Sequence, residues 1–340
     1  MPLPEPPKNS WPWGNHAQEL YQAGRDVWKD MHTAPPRSFF SEKTPKEIEA
    51  WLIEEGFNGQ EKARKAASII LYRHYHRSPS VNLFLAPSGS GKTFLWTLLQ
   101  QADENIYIFD TSILTPQGYR GAKLESCFRS IPPLYQSQAI IVFDEFEKSL
   151  YKNDGVYRTS DQLQSEMLRC FNHDKVFFAG ETSNQFFEYD FKNVTFVLLG
   201  AFSDLIRSKS RSETSAGFGG TPTHRLSYDD VTFTIDDIVK HTPLKEEVAG
   251  RIDRVVSMKP LTAQEIFTIL LDYVENTGYD ITKEIIIDHD ILFRIAKEAT
   301  TKEYGARWAE SQVNQIIDNL LYENCKQRTL RYGKKDVIYD

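Results

Sequence analysis

Cysteine is scarce in this chain. Only Cys127, Cys170 and Cys325 occur, far apart, so neither a local disulfide framework nor a CxxC zinc site can be assembled, and a reduced compartment is expected. No apolar run approaches the roughly 18 residues that span a bilayer, and the first ten residues, MPLPEPPKNS, lack the apolar core of a signal peptide. The expectation is a cytoplasmic protein with no membrane segment. Positive charge is not in excess either: 40 Lys and Arg against 47 Asp and Glu leave a net charge of −7. A chain of that sign does not coat nucleic acid non-specifically, although a local basic patch stays open. No internal repeat is evident. His74 and His76 stand two apart, hence on different faces of a helix, which makes a poor metal pair and predicts surface positions.

What is present is enough for about two domains with a sizeable core, since 340 residues with 40% hydrophobic and 26% charged content read as an ordinary globular chain. The chain is organised around VNLFLAPSGSGKT, residues 81–93. Leu83 to Leu85 predict a buried strand, and a helix follows from Phe94 to Gln101. In the turn between them Gly89 and Gly91 let backbone N–H groups converge on phosphate oxygens, while the helix directs its positive end at the same anion. Ser88, Gly89, Ser90, Gly91, Lys92 and Thr93 are therefore candidate nucleotide-binding residues. Lys92 would pair with the β and γ phosphates of ATP and Thr93 would hold Mg²⁺. The formal pattern asks for glycine where Ala86 stands.

Residues 1–43 form a Pro- and Trp-rich arm or linker, with one possible helix from Ala17 to Met31 and aromatics that suit docking on a partner. Thr44-Pro45-Lys46-Glu47 then opens a helix to about Glu55, and a second runs from Lys62 to His76. After the phosphate loop, strands are predicted at 105–110, 139–144, 194–200 and 254–258, separated by helical stretches, with an inserted hairpin over 175–190. Short apolar strands alternating with helices predict a parallel sheet covered on both faces. Residues 207–225, rich in Ser, Gly and Thr, read as a long loop. From Leu261 the strands are expected to stop, and Thr262 with Glu265 opens the first of several helices through a capping box. The fold class is thus α/β, with a large phosphate-loop domain over 44–259 and a small helical lid over 260–340.

Asp144 and Glu145 close an apolar strand, AIIVFDE. That placement lets Asp144 reach Mg²⁺ through its water shell and lets Glu145 polarise the water that attacks a γ-phosphate. Hydrolysis of ATP, rather than binding alone, is the chemistry expected.

Taken together, these motifs resemble the AAA+ ATPases of the ClpX type, Clp/HSP100 protein unfoldases, over about residues 44–335. APSGSGKT resembles the family's phosphate loop, IIVFDEFEK its acidic motif and LTPQGYRG its first pore loop; VTFVLLGAF, EEVAGRIDRVV and YGARWAES follow in the same order. The resemblance implies an ATP-driven unfoldase or complex remodeller working as a homohexameric ring. It implies that Phe57 and Asn58 form the nucleotide-pocket turn, that Arg251 is an arginine finger reaching a neighbour's nucleotide, and that Arg307 is a sensor arginine acting within its own subunit. Tyr119, with Arg120 beside it, becomes the residue that grips a threaded polypeptide.

Some positions depart from the family pattern. The N-terminal zinc-binding domain has no counterpart in residues 1–43, which leaves that arm as a possible contact for a protein partner. Asn58 stands for an apolar residue against adenine, and Leu199 for a polar γ-phosphate sensor. Where the family docks on a ClpP-type protease through Ile-Gly-Phe, this chain has Ala216-Gly217-Phe218. Loss of the aliphatic anchor removes about 1.5–3 kcal/mol of burial per subunit, so that protease is not an expected partner. Two other readings stand beside the unfoldase. One is a nucleic-acid motor or loader, suggested by Arg120 and by Arg207, Lys209 and Arg211; the other is a nucleotide-dependent assembly factor with little turnover.

Overall fold

Alternation of side chains between two covered faces builds the central sheet. A computed structural model describes residues 38–57, 59–116, 119, 121–151, 159–179, 186–202, 205, 233–276, 284–302, 304–324 and 329–333. Asn58, Arg120, Arg207, Lys209, Arg211, Ala216, Gly217, Phe218 and Cys325 lie outside the described residues, as do the arm up to residue 37 and the predicted loop over 207–225.

Five parallel strands, β1 (Val81–Leu85), β2 (Ile106–Asp110), β3 (Ile140–Asp144), β6 (Thr195–Gly200) and β7 (Arg254–Ser257), lie in the order β2-β3-β6-β1-β7. Leu83, Leu85, Ile141, Phe143, Phe196 and Leu198 turn to one core, and Phe84, Ile140, Val142, Val197 and Leu199 to the other. Such strands have no wet face, which is why they read as continuous apolar runs. β6 lies between β1 and β3, with Leu83 beside Leu198 and Ile141 beside Phe196. The two strands that end in the phosphate loop and in the acidic pair are thus held by one central strand.

The second core is roofed by α1 (Pro45–Glu54), α2 (Glu61–Tyr75) and α3 (Lys92–Ala102). Thr44 caps α1 with a full capping box: its hydroxyl accepts from the Glu47 N–H, and the Glu47 carboxylate accepts from the Thr44 N–H at 2.7 Å. Phe40, buried against Trp51, and Ser38, whose hydroxyl donates to Asp103 at 2.6 Å, fasten the chain just before α1 onto this body.

His74 departs from the surface position that its sequence predicts. It is buried on α2, with one ring nitrogen 3.0 Å from the Thr195 hydroxyl and the other 3.0 Å from the Gln138 carbonyl. The helix crosses the strand ends there, a tertiary fact that local spacing does not carry. Burial lowers its pKa from the ordinary 6.5 to about 4, against the opposing pull of the Gln138 carbonyl and Asp103. The folded state therefore resists a proton that the unfolded chain accepts. Stability contributed by neutral His74 is complete above pH 6.5 and is lost as pH falls towards about 4. The expected loss is on the order of 3 kcal/mol, read as Tm against pH, and His74→Gln should flatten that limb.

On the first core, α4 (Leu124–Ser130), α5 (Phe146–Leu150) and α6 (Thr159–Phe171) are joined by an antiparallel hairpin of β4 (Lys175–Ala179) and β5 (Phe186–Asp190). Phe128 packs on Phe178, Tyr189 and Phe191 and so clips the hairpin to α4. The short helices α7 (Ile235–His241) and α8 (Glu246–Ala249) lead to β7.

A third core, built on Ile266, Leu270, Leu292, Ala296, Val313 and Ile317, belongs to α9 (Ala263–Asn276), α10 (His289–Ala299) and α11 (Gly305–Asn324). Strands do not stop at Leu261. β8 (Glu284–Ile287) pairs in parallel with β9 (Thr329–Tyr332), so the small region is not purely helical. Each strand has four residues and its partner lies two helices away, so no local pattern announces the pairing. No helix among the described residues is long and apolar enough to cross a membrane.

Candidate nucleotide site

Gly91 opens α3 at φ +88 and Gly89 stands at φ +73, left-handed backbone that glycine adopts without a Cβ penalty. Ala86, at the formal glycine position, is absent from the positive-φ residues, is fully buried, and donates its N–H to the Gly200 carbonyl at 3.0 Å. A methyl is accommodated because the backbone there simply continues β1. The Ser90 hydroxyl donates to the Pro87 carbonyl at 2.7 Å, which folds the loop upon itself.

Thr93 and Asp144, predicted from separate motifs, meet: the Thr93 hydroxyl donates to Asp144 Oδ2 at 2.8 Å. The oxygen pair fits a hard divalent cation such as Mg²⁺, which takes one or two protein oxygens and keeps water for the rest. Glu145 follows in left-handed conformation at φ +53, held where α5 begins and where its N–H donates to Asp144 Oδ1 at 2.9 Å. Strain of this kind in a non-glycine residue is concentrated at functional sites.

The small region closes over this loop. A Cβ built on Gly89 would fall 2.4 Å from the Tyr304 carbonyl oxygen, and Gly305, at φ +45, opens α11 against the Ser88 and Gly89 carbonyls. A cavity of ≈ 640 Å³ results, lined on one side by Gly89, Gly91, Lys92 and Thr93 and on the other by Asp272, Ala306, Arg307 and Glu310. That volume suits a nucleotide. Phe57 covers Gly91 at 3.2 Å, measured to its missing Cβ, and tilts against Phe94 with ring centroids 6.1 Å apart. Together they wall an adjoining hollow of ≈ 150 Å³.

Arg307 and Lys92 thus face one space from elements more than 200 residues apart in the chain. Over most of its length the chain is similar to two proteins that bear one name. The ATP-dependent Clp protease ATP-binding subunit ClpX of Treponema denticola is 27% identical over 337 residues, with 87% of this chain and 80% of that protein covered. The corresponding subunit ClpX 2 of Wolinella succinogenes is 28% identical over 318 residues, with 82% and 77% covered. Both relatives are ATP-binding subunits by name, and the chain is similar to them along most of its length. No family model matches it.

Not every predicted site residue joins the cavity. Arg251 is exposed after α8 and does not line it. Leu199 is buried in the second core, so its side chain offers the phosphates nothing. Tyr119 is half-buried at a distance from the cavity, and its loop springs from the Thr111–Ile113 turn after β2. Cys127 and Cys170 are buried; burial pushes the Cys127 thiol up to about 12 and raises Cys170 well above its ordinary value, so neither is poised as a nucleophile.

Three residues were missed by sequence reasoning. Asp272 and Glu310 place carboxyls beside the cavity, and Glu310 lies one helical turn beyond Arg307, a spacing that could have flagged it. Partial burial raises the Glu310 pKa, with Arg307 opposing. Glu147 on α5 is buried; burial raises its pKa, opposed by the Ala201 N–H, by its own backbone and by Lys92.

Proposed function

We propose that this ATPase is an ATP-driven protein unfoldase or complex remodeller that acts as a homohexameric ring in the cytoplasm. The observation that carries the reading is the shared cavity, in which the phosphate loop supplies Lys92 and Thr93 and α11 supplies Arg307. A division at residue 259/260 makes the helical region a lid, and its distance from Gly89 becomes the coordinate that binding and hydrolysis change. Lys92 and Arg307 hold the phosphates of ATP, Thr93 and Asp144 hold Mg²⁺, and Glu145 takes the proton of the attacking water. Mg²⁺, when bound, supplies charge neutralisation at the phosphate oxygens. Ser88 to Gly91 give backbone donors, and Phe57 with Asn58 flanks the base.

Exposed Arg251 fits a finger that acts in trans, which requires a head-to-tail interface and therefore a ring. Tyr119 and Arg120 would meet the polypeptide. A physical link supports transmission: the Thr111 hydroxyl, at the root of that loop, donates to the Asp144 carbonyl at 2.8 Å. The relatives' names describe subunits of the Clp protease. Ala216 in place of an aliphatic anchor favours a remodeller that works without such a protease, and residues 1–43 are the proposed contact for a dedicated protein partner.

Steady-state ATP hydrolysis with and without an unfolded polypeptide tests the reading. Turnover should rise about two- to fivefold with polypeptide in the wild type and stay at its basal rate in Tyr119→Ala. Stimulation by single-stranded DNA alone would move the assignment to a nucleic-acid motor. An ATP-dependent ring whose turnover no polymer changes would identify an assembly factor.

A further inference from the structure

The segment that carries Tyr119 leaves the sheet through the Thr111–Ile113 turn and returns as α4. Its neck is closed by main chain: the Thr115 N–H donates to the Ala122 carbonyl at 2.8 Å, and Leu114 bridges Ala122. Gly121 stands in this neck at φ +130, and a Cβ there would fall 2.8 Å from Thr115 Cγ2.

Lys123 ties the loop together from within. Its ammonium donates to Thr115 Oγ1 at 2.9 Å, to the Pro116 carbonyl at 2.8 Å and to the Tyr119 carbonyl. Three donors meet three acceptors, which is the whole capacity of an ammonium. A solvated lysine retains its rotamer entropy, so a lysine committed to two loop carbonyls and a loop hydroxyl has a conformation to hold. The ammonium is half-buried; partial desolvation lowers its pKa and Glu166, on α6, opposes that shift. At the other end of the same segment Thr111, fully buried, is bonded to Asp144. A continuous path therefore runs from the acidic turn through Thr111 and Leu114 to the loop that Lys123 stitches.

We propose that Lys123 is a positioning residue that fixes Tyr119 relative to Thr115 and Pro116, so that displacement at the nucleotide site reaches Tyr119 undiminished. A slack loop would absorb the same displacement. The inference rests on the reading of Tyr119 as the polypeptide contact, and it adds a requirement that the contact be stiff. Neither Lys123 nor its three acceptors line the nucleotide cavity, so the two functions separate experimentally.

The test compares full-length wild type with Lys123→Met, Lys123→Arg and Tyr119→Ala. Amide hydrogen exchange is followed over residues 114–122, and ATP turnover is measured with and without reduced, carboxymethylated α-lactalbumin. Lys123→Met should leave basal turnover within about twofold and Tm within a few degrees, speed exchange in the loop at least about tenfold, and abolish most of the polypeptide stimulation. Lys123→Arg, which keeps a cation and its donors, should recover about half of the stimulation. Unchanged loop exchange in Lys123→Met overturns the proposal, as does faster exchange with stimulation intact. Full stimulation in Tyr119→Ala would instead overturn the polypeptide reading itself, and the exchange rates alone would then decide whether Lys123 holds the loop.

Discussion

Glu145→Gln is expected to lower kcat for ATP hydrolysis about 10²- to 10⁴-fold, the range a positioned general base contributes, while Mg·ATP affinity stays within a few-fold of wild type. The substitution preserves shape and removes only basicity. The reason for so large an effect lies in the backbone. β3 ends at Asp144, its side chain bonded to Thr93, and the chain then turns through left-handed Glu145 into α5. Asp144 is thereby committed to Thr93, while Glu145 follows it in a backbone conformation of its own. Steady-state phosphate release and titration with a fluorescent ATP analogue check the two halves separately. Retention of kcat within tenfold would remove Glu145 from the role of base, and parallel losses in turnover and affinity would make it a binding residue instead.

Phe196→Ala is expected to cost about 3–5 kcal/mol of stability, a large part of the roughly 5–15 kcal/mol that holds a domain folded. Phe196 is fully buried on the central strand β6, with ring centroids 5.0 Å from Phe171, 5.7 Å from Phe191 and 6.1 Å from Phe143. In the sheet it stands between Val81 of β1 and Ile141 of β3. These strands carry the phosphate loop and the acidic pair, so the cavity left by the ring loosens both halves of the site at once. Urea unfolding should show the midpoint shift, and nucleotide affinity should fall with it. A change below 1 kcal/mol would mean that the aromatic cluster closes over the gap.

Much of the fold was legible because short motifs and strand patterns are local. The strand into Gly89–Thr93 and the apolar run into Asp144 each specify a buried strand with a polar end, and the structure brings Thr93 to Asp144 without further instruction. Thr44 with Glu47 and Thr262 with Glu265 declared their helix starts in the same way, and both capping boxes form. What escaped is non-local. His74 looked like a surface residue because its spacing from His76 makes a poor metal pair and nothing nearby in the chain calls for its burial, which depends on where Thr195 and Gln138 arrive. The β8–β9 pair escaped because the ladder joins residues separated by two helices.

By itself the sequence supplied the candidates: the turn proposed to cradle phosphate, the acids proposed to hold a cation or take a proton, and the strands that must be covered on both faces. Those properties depend on residue type and on spacing within a dozen positions. Tertiary structure decided which of those residues share one space. Only packing of α11 and α9 beside the phosphate loop puts Arg307 and Glu310, from the one, and Asp272, from the other, around the cavity that begins at Lys92. Only the closed neck at Thr115 and Ala122 brings the Lys123 ammonium onto the carbonyls of Pro116 and Tyr119. Such contacts depend on how separate elements dock, and docking is set by the shapes of whole buried faces rather than by any one stretch of chain.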